Sequence, residues 1–315
     1  MVRILVVYNP HSSRFEDVKR EVLPKLRMLK GYIIGKYEIK PTDINQNIAS
    51  LASIIQDGDL VISAGGDATG VIATNAIMKS AKSATLAALP YGNFNDLSGT
   101  LHTKRIEDII SLGDTKKPSR TRRESICINK LYPLDIIVDG KHWRYATCYV
   151  TIGMTAEATK LYDTQTMRRK LKTSFGRNIT SYTAIARWYF KHRRKRTFIP
   201  EFELNGIKQH PQTSDYFAVN GHYMARIMRG GRDYERPKVF RHETDRLAPS
   251  ILRLAVLMIK SIFHRVPGDE TTGDILEFTN PATFTLQAEG ESEQFKNVQR
   301  VEIRKANTYL RVIQN

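Results

Sequence analysis

The run Ser63-Ala64-Gly65-Gly66-Asp67-Ala68-Thr69-Gly70 places two glycines and a carboxylate between an apolar stretch, Leu60-Val61-Ile62, and a helical pattern that begins near Val71. Glycines let a backbone approach an anion with no Cβ in the way, and the amides of a helix start carry the positive end of its dipole. That is phosphate-binding chemistry. Asp67 is the anomaly, because a carboxylate among such amides repels phosphate unless it holds a metal ion, orients a water or takes a proton from an attacking hydroxyl. Phosphoryl transfer uses all three devices. The plainer alternative is a tight strand-to-helix connection with Asp67 or Thr69 as N-cap.

Two more polar turns accompany it. Asn9-Pro10-His11-Ser12-Ser13-Arg14 follows the apolar run Ile4-Leu5-Val6-Val7-Tyr8, and Pro90-Tyr91-Gly92-Asn93-Phe94-Asn95-Asp96 follows a later strand pattern. Alone, each reads as an ordinary turn, with Asn-Pro as turn initiator and Asn95-Asp96 as a helix cap. Together, at the carboxyl ends of successive strands, they converge on one crevice.

The elements that must position them alternate in type. Residues 2–8 read as a buried strand, 17–29 and 42–55 as helices (the second capped by Thr42 or Asp43), 60–63 as a strand, 71–79 as a helix, 85–89 as a strand and 106–112 as a helix. This rhythm predicts a Rossmann-like α/β domain with a parallel sheet over residues 1–120. A polar segment from Gly113 to Arg123 marks a boundary. Beyond it, Asp139-Gly140, Asn205-Gly206 and Asn220-Gly221 read as hairpin turns, predicting an antiparallel β-rich domain over 121–300 with helical inserts near 179–196 and 249–265. Residues 301–315 form a last strand that could return to the first domain.

The chain has 315 residues, enough for two cores, and 49 Lys and Arg against 32 Asp and Glu give a net charge of +17. Such an excess calls for an anionic partner. Nucleic acid is disfavoured, since no zinc spacing, helix-turn-helix signature or aromatic-basic platform is present. Cys127 and Cys148 have no metal-site spacing and read as small buried hydrophobes. Met1-Val2-Arg3 runs straight into a strand pattern rather than a signal peptide, and no apolar run reaches the length of a membrane span.

In order and spacing, these motifs resemble the diacylglycerol kinase catalytic-domain family, which includes bacterial lipid kinases and sphingosine and ceramide kinases. Asn9-Pro10 is similar to its first motif, Gly65-Gly66-Asp67-Ala68-Thr69 to its GGDGT, Pro90 to Asp96 to its PxGTxND, and Ala288-Glu289-Gly290-Glu291 to its DGE. Val150 to Glu157 and Tyr216 to Gly221 resemble later segments. The resemblance implies an α/β domain followed by a β-rich one, the active site between them, and transfer of the γ-phosphoryl of ATP to a lipid hydroxyl with Mg²⁺. It implies nucleotide contacts at Asn9, Pro10, Thr42, Gly65, Gly66, Asp67, Ala68, Thr69, Gly70, Val71, Gly92, Asn93 and Asn95. Asp67 is expected to organise metal, directly or through water, with Glu289 as base and Asp96 and Glu291 completing the acidic set.

The chain departs from the family pattern at several places. Ala68 replaces a glycine, which predicts lost access to a left-handed backbone, while Asn93 replaces Thr, Phe94 a small residue, Glu289 an Asp, and Ser13 a Gly. The acidic metal segment of the family has no counterpart around Arg229-Gly230-Gly231-Arg232-Asp233. Lys191 to Arg196 beside Trp188, Tyr189 and Phe190, and the apolar face of 251–263, suit an anionic membrane surface. A cytoplasmic, peripherally membrane-associated kinase is therefore expected, with ATP and a membrane lipid as partners and the oligomeric state open, a homodimer included. The alternatives are an NAD-kinase-like enzyme and a catalytically silent nucleotide- or lipid-binding protein.

Overall fold

The computed structural model describes residues 3–12, 14–93, 95–110, 127–159, 199–208, 213–221, 223–224, 228–229, 238–243, 269–271 and 275–314. The chain forms two units, Met1–Pro133 with Asn307–Asn315, and Leu134–Ala306. It is a mixed α/β protein with a largely parallel sheet in the first unit and a separate antiparallel sheet in the second.

The strands of the first unit are β1 (Arg3–Tyr8), β2 (Ile33–Glu38), β3 (Leu60–Gly65), β4 (Thr85–Pro90), β5 (Cys127–Leu131) and the C-terminal β18 (Leu310–Gln314). They lie in the order β2-β1-β3-β4-β18-β5, parallel except for β5. The central strands are apolar on both faces, as a sheet covered on both sides requires, and Val6, Val7, Val61 and Ile62 are fully buried. Helix α1 runs through Phe15–Asp17, a π-helical turn Val18–Val22 and Leu23–Arg27, burying Val18, Val22 and Leu26. Helices α2 (Ile44–Ile54), α3 (Asp67–Ser80), α4 (Asp96–Thr100) and α5 (Ile106–Ile110) follow. Strand β2 escaped the sequence reading because Gly35 and Lys36 interrupt its apolar run and it lies at the sheet edge, half exposed.

The second unit holds β6 (Leu134–Val138), β7 (Lys141–Ala146), β8 (Tyr149–Gly153), helix α6 (Met154–Thr159), β9 (Phe202–Leu204), β10 (Ile207–Lys208), β11 (Thr213–Val219), β12 (Tyr223–Met224), β13 (Met228–Arg229), β14 (Lys238–Glu243), β15 (Asp269–Thr271), β16 (Ile275–Ala288) and β17 (Glu291–Lys305). Its main sheet runs β15-β14-β11-β8-β16-β17-β6-β7, with β9 also on β16. Asp139-Gly140 and Asn205-Gly206 make the expected hairpins, both residues of each pair having positive φ (47° and 76°, 49° and 79°), as a type I′ turn demands. Asn220-Gly221 does not. Its two amides turn back to the carbonyl of Cys148. Cys148 is buried as expected, whereas Cys127, on the edge strand β5, is exposed. The boundary segment 113–123 and the helical inserts at 179–196 and 249–265 lie outside the described residues, as do Ser13, Phe94, Gly230 to Asp233 and the basic run 191–196. No helix among the described residues is long and apolar enough to cross a membrane.

Candidate functional site

Parallel neighbours point their carboxyl ends the same way, so the order β2-β1-β3-β4 sets four turns along one rim of the first unit. The turns after β3 and β4 interlock. Asp67 is the first residue of α3, four residues earlier than the sequence pattern suggested, and Gly66 is its N-cap. One carboxylate oxygen of Asp67, Oδ2, accepts the amide of Asn95 at 3.1 Å, and the other, Oδ1, accepts that of Asp96 at 2.6 Å. Asn95 sits in the left-handed region at φ 60°. Its own side chain closes the turn, Oδ1 accepting the Gly92 amide at 2.6 Å and Nδ2 donating to the Gly92 carbonyl at 2.9 Å. Both Asn95 and Asp96 are buried.

The glycines serve close packing here. A Cβ on Gly92 would lie 2.7 Å from the Gly66 nitrogen, one on Gly66 3.0 Å from the Gly92 Cα, and one on Gly70 2.9 Å from a Leu97 methyl. None of these glycines has positive φ. Ala68 therefore needs no left-handed backbone: it stands exposed in the first turn of α3, where alanine is favoured, which corrects the cost expected for this substitution. The expectation of phosphate contacts at Gly65 to Val71 concerns the start of this 14-residue helix, whose first amides lack intrahelical acceptors as at any helix N-terminus.

The turn after β1 is held by Asn9, whose Oδ1 accepts the His11 amide at 2.8 Å. It is tied to the turn after β4 by a residue that the sequence reading passed over. Arg14 donates to the Pro90 carbonyl at 2.8 Å and to Asp17 at 2.9 Å, with its guanidinium 5.3 Å from the Tyr91 ring centre. Tyr91 in turn donates to Glu21 at 3.0 Å, and burial first, then this carboxylate, raises its pKa. Tyr8, at the end of β1, donates to Glu38 at 2.6 Å and is pushed up to about 12 by burial and that bond.

After β2, exposed Thr42 is fixed by a buried asparagine, also missed. Asn47 Nδ2 donates to Thr42 Oγ1 at 3.1 Å and to the Lys40 carbonyl at 3.1 Å, while its Oδ1 accepts the Lys40 amide at 2.9 Å. Asp43 makes no side-chain cap on α2, so the turn is organised from inside the helix. A polar residue on the apolar face of a helical pattern was the available signal for Asn47.

Glu289 and Glu291 belong to the second unit, in the turn between β16 and β17. Glu289 is 2% exposed, with φ 50°, and its Oε1 accepts the Thr147 hydroxyl at 2.7 Å and the amide of Cys148. Glu291 opens β17 half-buried. The acidic set thus falls in two pairs, Asp67 with Asp96 and Glu289 with Glu291, each within its own unit. Among the described residues, no three His, Cys, Asp or Glu side chains gather as a metal-binding group.

Residues 3–124 match the family model of the diacylglycerol kinase catalytic domain. A curated relative, diacylglycerol kinase of Bacillus subtilis (strain 168), is 29% identical over 179 residues, 56% of this chain and 52% of that protein, so the match spans about half the length of the relative. Among solved structures, a diacylglycerol kinase of Bacillus anthracis str. Sterne superposes with a TM-score of 0.60 at 17% identity, over 99% of this chain and 96% of the other. A second structure from that strain gives 0.63 at 14%, with the same coverage. The structural likeness concerns the fold, while the residues that interlock around Asp67 all fall inside the matched segment. Over residues 3–124, this chain is similar to the diacylglycerol kinase catalytic domain.

Proposed function

We propose that this protein is a lipid kinase that transfers the γ-phosphoryl of ATP to a hydroxyl of a membrane lipid of the diacylglycerol type. The two-oxygen tie of Asp67 to the amides of Asn95 and Asp96 carries the reading. It joins two turns into one rigid rim at the start of α3, where helix amides suit phosphate, and rigid placement is most of what phosphoryl transfer asks of a protein. On this reading the phosphates lie along Gly65 to Gly70, with Asn9, Pro10, Thr42, Val71, Gly92, Asn93 and Asn95 around the nucleotide.

The lipid oxygen attacks the γ-phosphorus, its proton passes to a carboxylate, and the bond to the bridging oxygen of ADP breaks. Mg²⁺, when bound, offsets the phosphate charge. Asp67, directly or through water, and Asp96 are the carboxylates of this rim that would hold such an ion. We assign the excess positive charge to reversible docking of a cytoplasmic enzyme on an anionic membrane surface, through Arg193, Arg194, Lys195, Arg196 and the apolar face of 251–263.

The deciding experiment incubates purified protein with radiolabelled ATP, Mg²⁺ and a total lipid extract, with a parallel reaction supplied with NAD. Labelled lipid is the expected product. Labelled NAD, or no product in either reaction, would overturn the reading.

A further inference from the structure

One buried side chain organises the turn after β2. Asn47, in the first turn of α2 and 2% exposed, faces back onto residues 40–43. Its Oδ1 accepts the Lys40 amide at 2.9 Å and the Tyr37 hydroxyl at 3.3 Å. Its Nδ2 donates to the Lys40 carbonyl and to Thr42 Oγ1, each at 3.1 Å, and to the Asp43 carbonyl at 3.3 Å. Lys40 fixes which way round the side-chain amide sits. A backbone N–H can only donate and a carbonyl can only accept, so the oxygen of Asn47 must face the first and its nitrogen the second. The nitrogen is therefore also what meets Thr42.

A hydroxyl has one proton to give, and with Oγ1 accepting from Asn47 that proton is left for an acceptor outside the turn. Among the described residues this is the one hydrogen bond of the Thr42 side chain, and Thr42 is exposed. It follows the carboxyl end of β2, on the rim that carries the turns after β1 and β3. Two strand spacings, about 10 Å, separate β2 from β3. With the phosphates along Gly65 to Gly70, a group that far along the rim meets the nucleoside end of ATP. We propose that Asn47 is a positioning residue for the nucleotide: it holds Thr42 so that the hydroxyl is presented as a hydrogen-bond donor to a ribose oxygen or ring nitrogen of the nucleoside. The arrangement of Asn47 and Thr42 stands on the geometry of the first unit alone, and its service to the nucleotide rests on the lipid-kinase reading.

Aspartate at position 47 inverts the pair, because a carboxylate still accepts the Lys40 amide but has no proton to donate, so the Thr42 hydroxyl turns inward to it. Thr42→Val deletes the hydroxyl and Thr42→Ser keeps it, both at an exposed position that leaves the core alone. Titration calorimetry of ATP into the full chain, without lipid, compares wild type, these three variants and the double variant Asn47→Asp with Thr42→Val. Asn47→Asp and Thr42→Val should each weaken binding about tenfold, and the double variant by about the same factor, since both changes remove one donor. Thr42→Ser should bind within about threefold of wild type. In phosphoryl transfer to diacylglycerol vesicles, the loss should fall on KM for ATP rather than on kcat or on KM for diacylglycerol.

Thr42→Val that binds ATP as wild type does would overturn the proposal, as would losses that multiply in the double variant. If thermal denaturation shows Asn47→Asp unfolded at the assay temperature, the Thr42 variants still decide, and Thr42→Ser as weak as Thr42→Val would overturn it. Wild type that binds ATP but labels no lipid ends the lipid-kinase reading and leaves calorimetry to decide the role of Asn47. Wild type that binds no ATP ends both.

Discussion

Asp67 and Glu289 solve the same problem at opposite kinds of sheet. Each is a carboxylate that spends itself on backbone amides, but Asp67 divides its two oxygens between two successive amides, whereas Glu289 concentrates an amide and a hydroxyl on one oxygen. In the first unit, parallel strands already deliver the turns side by side, so Asp67 needs only to pin a neighbour. In the second, antiparallel ends from β7–β8, β11 and β16–β17 must be gathered, and the carboxylate is one member of a larger network. The lesson is that Asp67 is local and nearly irreplaceable, while the role of Glu289 is shared.

The largest break should come at Asp67. Asp67→Ala leaves two amides without an acceptor, which costs about 3 kcal/mol by the usual worth of hydrogen bonds to a charged group. Asp67→Asn should keep one of the bonds and turn an NH2 group onto the other amide. Thermal denaturation is expected to rank wild type above Asn above Ala, and phosphoryl transfer should fall by more than about 100-fold in both variants. An Asn variant with full activity would show that the charge is not needed.

Glycine substitutions sharpen the comparison at the next level. Gly92→Ala drives a Cβ to 2.7 Å from the Gly66 nitrogen, where backbone meets backbone. Such overlap should cost about 2 to 3 kcal/mol and weaken nucleotide-dependent stabilisation. Gly290, beside Glu289, has φ 91° and no atom within 4 Å of where an alanine methyl would stand, so Gly290→Ala should cost only about 1 kcal/mol through strain. Equal losses in urea titrations would erase the distinction between a steric glycine and a conformational one.

Alkali offers a gentler probe. Tyr8 and Tyr91 in the first unit each donate to a carboxylate, and both have pKa values raised above the ordinary 10.0, Tyr8 to about 12. In the second, Tyr145 is raised by burial first and then by Asp135. A raised tyrosine favours the folded state below pH 10, and that contribution is lost as pH climbs towards the folded value. Stability should therefore decline between about pH 10 and 12, and Tyr8→Phe with Tyr91→Phe should flatten that slope more than Tyr145→Phe does. Chemical denaturation at stepped pH measures it. The smallest effect belongs to Ala68→Gly, which restores the family glycine yet should lose about 0.5 to 1 kcal/mol of helix stability. A gain in activity there would mean that the backbone at 68 must move.

Sequence alone revealed the rim of the first unit because its signals are local. Gly65-Gly66-Asp67 and Gly92 to Asp96 lie in short turns that announce themselves by residue type. It misplaced the start of α3 because a run with three glycines reads as loop, while here Gly70 makes room for Leu97 inside a helix. Arg14 and Asn47 were overlooked because most of the bonds by which they join turns, to the Pro90 carbonyl and to the backbone of Lys40 and Asp43, end on backbone groups that no side-chain pattern discloses. Asn220-Gly221 misled for the same reason, since its residue types fit a hairpin but its amides serve Cys148. Contacts between distant strand ends, such as Thr147 with Glu289, 142 residues apart, leave no trace in local composition.

Strand β18 has a consequence for the order in which the molecule is made. It lies between β4 and β5, parallel to the first and antiparallel to the second. Until residues 310–314 leave the ribosome, β4 keeps a bare edge of unpaired amides and carbonyls, the kind of template that invites pairing with another chain. The first unit thus begins translation first and completes its sheet last, with the whole of 134–306 emerging in between. A nascent chain arrested before Leu310 should accordingly be the species that needs a chaperone.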